Sequence, residues 1–217
     1  EQRVVYDQTS LVQDYPLTMM TWFKTNNTNS SEQTLLYFGP SSSNVSRNRI
    51  LLRNNGNIRM ESRVFVSGGN TYSENITYSA NLIDGGWHHA AAVYESPSSR
   101  KFYVDGSLVG TSTGVLDNIS SSNNLRFSAG SREGNVSIDY YTGDLDDVRF
   151  YASSLTADEI SDASEGYDCS NANRILKWSF DDQPNTIIED QFNNFNGDFL
   201  GTGTPASTPS SLSIGEL

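Results

Sequence analysis

The 217-residue sequence holds one cysteine and two histidines, and the two histidines are adjacent. His88 and His89 follow Trp87 in "GWHHAAAVYE". Imidazoles beside carboxylates are raw material for a metal site or a general base. The run around them is aromatic and apolar, which reads as a β-strand, and successive strand side chains point to opposite faces. The two rings therefore cannot ligate one ion. One is expected to face the core and the other outward, both as structural wall.

The other candidates are oxygen donors. Asp146 and Asp147 lie together in "GDLDDVRF", Asp181 and Asp182 in "SFDDQ", and Asp190, Asn193, Asn196 and Asp198 in "EDQFNNFNGD". Calcium takes six to eight such oxygens on irregular loops, and Gly197 allows a sharp turn there. The same oxygens could instead accept backbone N–H groups, so both readings stand. Glycoside cleavage needs two opposed carboxylates, one with a raised pKa, and no Glu is suitably spaced beside Asp146. No Gly-x-Ser-x-Gly elbow occurs either, and no catalytic residue is assigned. For a sugar ligand, an aromatic face with polar donors nearby is the usual device. Tyr72 and Tyr140 lie in polar, loop-like stretches, with Arg132 and Asn135 close to the second. Packing is the competing role for these tyrosines.

The elements expected to position these residues are strands: 3–6, 17–25, 34–38, 49–53, 57–66, 87–95, 101–104, 125–130, 143–151 and 175–180. Asp105-Gly106 between "KFYV" and "SLVG" is a tight-hairpin signal. One helix is expected near 156–163, capped by Thr156 with Glu159 three residues on. Many strands with one helical turn predict an all-β, two-sheet antiparallel sandwich formed by a single domain, 1–217. A net charge of −12 disfavours nucleic acid, and no apolar run is long enough to span a bilayer. Cys169, the single cysteine, cannot form an internal disulfide. Six Asn-x-Ser/Thr sequons, at Asn26, Asn29, Asn44, Asn75, Asn118 and Asn135, are close to what so Asn- and Ser-rich a chain yields by chance.

Three motifs carry a family resemblance. "LTMMTWFKT" resembles the threonine-and-tryptophan strand of laminin-G-like jelly rolls. "GGWHHAAAVYE" with "RKFYVDGSLVG" resembles their Trp-His-His strand and following hairpin, and "YTGDLDDVRFYASSLTADEI" their closing strand and short helix. The resemblance implies a concanavalin A-like jelly roll, usually exported, often calcium-bearing, and binding glycans or proteins. The strand order it implies sets Asp146 and Asp147 beside Asp181 and Asp182.

The family's opening strands resemble residues 174–201 rather than the N-terminal residues, and "SSLSIGEL" resembles the strand that would precede Glu1. A permuted domain, a piece of a tandem array, or a strand (within 174–217) donated to a neighbouring copy would each explain this. The expected function is a non-catalytic extracellular or cell-surface module binding carbohydrate or a surface partner, with a stabilising calcium. The alternative is a structural subunit of a filament, sheath or virion that polymerises through its C-terminal segment.

Overall fold

The computed structural model describes residues 3–8, 15–40, 46–65, 70–116, 125–132, 138–169, 173–181, 187–190 and 195–200. The strands are β1 (Arg3–Gln8), β2 (Leu17–Lys24), β3 (Glu32–Pro40), β4 (Arg47–Arg53), β5 (Ile58–Phe65), β6 (Thr71–Tyr78) and β7 (Trp87–Ser96). They continue with β8 (Ser99–Val104), β9 (Ser107–Ser112), β10 (Leu125–Ala129), β11 (Asp144–Tyr151), β12 (Arg174–Trp178), β13 (Ile187–Ile188) and β14 (Gly197–Leu200). Helix α1 (Ala157–Ser164) lies between β11 and β12.

Two antiparallel sheets result. The larger runs β13-β14-β1-β10-β3-β4-β5-β6, the smaller β12-β11-β2-β7-β8-β9. Alternate residues of each sheet meet between them: Leu36 and Phe38, Ile50 and Leu52, and Met60 and Val64 face Met19 and Phe23, Ala90, Ala92 and Tyr94, and Phe102. Phe127 joins the layers, 5.0 Å from the Phe38 ring and edge-on to Phe150 at 4.8 Å. Each Leu, Ile, Val, Met or Phe side chain so withdrawn from water contributes roughly 1.5–3 kcal/mol.

The smaller sheet is covered on its other face too, which explains why "HHAAAVY" is apolar at both parities. Met20, Ala91, Val93, Tyr103 and Tyr151 pack under Leu155, Ile160, Ala163 and Cys169. The helix that supplies this lid starts where the sequence predicts: Thr156 accepts the Glu159 N–H, and Glu159 accepts the Thr156 N–H at 2.7 Å. Asp105 and Gly106 turn the β8–β9 hairpin at positive φ (48° and 75°).

The tail pairs within its own chain. β12 lies against β11, with Trp178 opposite Val148, and β14 against β1, with Leu200 opposite Arg3. Trp178 is fully buried, and its Nε1 donates to the Phe195 carbonyl at 3.1 Å. Gly197 packs where any Cβ would strike Val4 and the Trp178 ring.

One expectation is corrected. Tyr72 is not in a loop but on β6, an edge strand whose one buried residue, Ile76, gives too weak an apolar pattern to read as a strand. The histidines point to opposite faces as expected, and His89, the outward-facing one, is the more buried because the outer face of its sheet is itself covered.

Candidate functional site

An extended ion-pair cluster lies on the outer face of the larger sheet, where arginines alternate with core residues. On β4, Asn48, Ile50 and Leu52 point inward, so Arg47 and Arg49 point out; on β5, Met60, Ser62 and Val64 point inward, so Arg59, Glu61, Arg63 and Phe65 point out. Glu61 accepts from Arg47 Nε at 2.7 Å and from Arg49 Nε at 2.8 Å. Arg49 also reaches Glu32 at 2.8 Å and Asp139 at 3.0 Å, and Arg132 Nε lies 3.2 Å from the same Asp139 oxygen.

The charges are unevenly matched. Burial works to raise the Glu61 carboxyl, but Arg49 and Arg47 outweigh it and hold the pKa below the ordinary value. For Arg49, burial is outweighed in the opposite direction by Glu61 and Glu32, and its pKa is raised. Arg47 is pushed down to about 10: burial dominates, and Arg49, Arg132 and Arg63 add repulsion against the pull of Glu61. Arg63 sits directly across from Arg47 in the β4–β5 register. Beyond it, Ser73 and Asn75 of β6 face Arg63 and Glu61 across the strands and are exposed, as is Phe65 at 47 %.

The predicted glycan residues fall in two places. Arg132 and Tyr140 flank Asp139 beside this cluster, with the Arg3 guanidinium 5.7 Å over the Tyr140 ring. Tyr72, more than half exposed, lies on β6 opposite the inward-pointing Val64. Asn135 lies outside the described residues.

The carboxylate clusters are brought together as pairs rather than as a cage. Asp147, in a bulge at φ 48°, is bonded by the Arg149 guanidinium and lies 3.5 Å from Lys177 Nζ. Asp146 accepts the Asp147 N–H at 2.7 Å. Burial, with Asp147 and Asp181 adding repulsion, raises its pKa to about 6. In the tail, Asp190 spends one oxygen on the Lys177 N–H and the other on the Phe195 N–H, while Asn196 accepts the Asp190 N–H. Asp198 pairs through its backbone with Val5 and Ile187; Asp182 and Asn193 lie outside the described residues. Among the described residues no group of three or more His, Cys, Asp or Glu side chains is placed to hold a metal ion.

The histidines are wall, as their spacing implies. His88 bridges Asp105 at 3.0 Å and Asp84 at 3.2 Å. His89 lies 5.4 Å from the Trp22 ring, its pKa lowered to about 4 by burial and then by Arg149.

Sequence reasoning missed the arginine cluster. Its signal was the same-face series Arg47, Arg49 on one strand and Arg59, Glu61, Arg63 on the next, unusual in a chain with 14 basic residues and 26 acidic ones.

The comparisons bear on the same fold. The family model described as the concanavalin A-like lectin/glucanases superfamily matches residues 2–161. No curated protein matches the chain in sequence. Among solved structures, a candidate carbohydrate-binding protein from Bacteroides ovatus superposes with a TM-score of 0.69 at 16 % identity, covering 95 % of this chain and 60 % of its own. The chain thus spans about 60 % of that protein's length. A heptameric SAP-like pentraxin from Limulus polyphemus gives 0.58 at 19 % identity, covering 79 % of this chain and 78 % of its own. The CBM40 module of a Ruminococcus gnavus sialidase, bound to α2,3-sialyllactose, gives 0.57 at 18 % identity, covering 74 % and 91 %.

Proposed function

From the premise that this chain belongs to the laminin-G-like family of the concanavalin A-like lectin/glucanases superfamily, we propose that it is a non-catalytic carbohydrate-binding module acting outside the cell or at its surface. The observation that carries the reading is the outer face of β5 and β6. There an exposed aromatic ring, Phe65, adjoins a flat strip of hydroxyl, amide and guanidinium groups: Ser73, Asn75 and Arg63. A sugar ring asks for that pairing, an apolar face to lie on and planar donors at its rim. Superposable proteins with carbohydrate-binding descriptions support it.

The carboxylate on this face supports binding there rather than hydrolysis. A glycosidase needs a protonated acid near neutral pH. Glu61 is held ionised between two guanidiniums, its oxygens already engaged. Two strands of the tail pair with their own sheets, which favours a self-contained module over a strand-linked polymer.

The test is a glycan panel followed by calorimetry on the members retained, with release of reducing ends measured in parallel. Saturable binding without release supports the reading. Release of sugar, or no retention of any glycan, overturns it.

A further inference from the structure

The geometry points to an anionic glycan as the ligand of this face, with the Arg63 guanidinium contacting the carboxylate or sulfate ester on the sugar. The inference rests on the carbohydrate-binding reading and narrows it to a class.

Arg47 and Arg63 stand opposite each other on adjacent strands, side chains on the same face. Like charges so placed destabilise a sheet. Arg132 lies close enough to repel Arg47 as well. The acids nearby are already committed: Glu61 to Arg47 and Arg49, Glu32 to Arg49, and Asp139 to Arg49 and Arg132. Arg59 is turned aside to Thr77 and lies 4.0 Å from Glu32. Among the described residues Arg63 has no ion-pair partner, while its partly exposed position leaves it open to solvent. Among the described residues the face therefore carries surplus positive charge in a chain whose net charge is −12. A neutral sugar would leave that surplus uncompensated. An anion answers it, and a guanidinium fork suits the paired oxygens of a carboxylate or sulfate. Phe65, two residues along the same face, would lie beneath the ring that bears the charge.

The experiment measures affinity for matched pairs differing only in charge: 3′-sialyllactose against lactose, trigalacturonate against its methyl ester, and a sulfated disaccharide against its desulfated form. Wild-type protein and Arg63→Gln are compared at low and high salt, with thermal melting run on both. Charged members are expected to bind at least tenfold more tightly than their neutral partners. That preference should fade as salt screens it and be lost in Arg63→Gln. The melting temperature of the variant should be unchanged or higher, which an arginine kept for structure would not give. Preference for the sulfated member alone upholds the anionic class and assigns the group to sulfate. Equal binding of neutral and charged partners, or an unaffected charge preference in Arg63→Gln, overturns the inference and leaves the carbohydrate reading intact. Failure of every sugar to bind removes both.

Discussion

His88 Nδ1 lies 3.0 Å from one carboxylate oxygen of Asp105, whose other oxygen accepts the backbone N–H of His89 at 2.8 Å. One aspartate at the tip of the β8–β9 hairpin thereby holds the neighbouring strand β7 by both side chain and backbone. Asp84 takes the far side of the imidazole.

This clamp makes stability depend on pH. Burial opposes the charged ring, but Asp105 and Asp84 outweigh it and raise the His88 pKa above its unfolded value. The contribution is fully present below the unfolded value and is lost as pH rises through the folded one. As pH rises above about 6.5, the ordinary imidazole value, the melting temperature should fall by more in wild type than in His88→Gln. Parallel curves would show that the pair of carboxylates contributes nothing.

Asp146 has the same sign for a different reason: burial and its acidic neighbours raise it to about 6, so at neutral pH its charge destabilises the fold. Asp146→Asn keeps an oxygen for the Asp147 N–H and removes the repulsion. It should stabilise the protein at pH 7 by about 1–2 kcal/mol after solvent screening, read from urea unfolding in EDTA. Calcium supplies the control. A midpoint that rises with calcium in wild type but not in Asp146→Asn would assign a stabilising ion to the Asp146–Asp181 pair.

Glu61 should be the most costly polar residue to alter. Arg47 and Arg49 are almost wholly buried and share it. Glu61→Gln leaves both short of their counter-charge, and a loss of about 3–5 kcal/mol in chemical denaturation is expected. A loss under about 1 kcal/mol would mean that Glu32 and Asp139 suffice.

Trp178 tests the tail. Trp178→Ala should cost roughly 3–5 kcal/mol, because the ring fills the end of the core against Gly197. Removal of residues 174–217 should leave protein that aggregates, since β1 and β11 each lose a pairing partner. A monomeric, cooperatively folding truncation would contradict this account.

What the sequence made legible was what neighbours in the chain decide. The Asp105-Gly106 turn, the Thr156–Glu159 cap and the opposed directions of His88 and His89 each depend on a few consecutive residues. β6 was not legible, because an edge strand with both parities largely wet has almost no apolar alternation to read. The arginine cluster was hidden for a different reason. Its members come from β3, β4, β5 and the segment carrying Arg132 and Asp139, and only the pairing of distant strands sets them side by side. Asp190 illustrates the limit from the other direction. Its composition suggests a cation, yet folding commits its oxygens to the amides of Lys177 and Phe195.

The pairing of Arg3 with Leu200 also sets a mechanical property. These residues are the outer rungs of an antiparallel ladder, at the start of β1 and the end of β14. Force applied through that pair would peel the ladder open rung by rung instead of shearing all its bonds together. Stretched from Arg3 and Leu200, the domain would therefore give way there first, at low load, while the rest of the sandwich stayed intact.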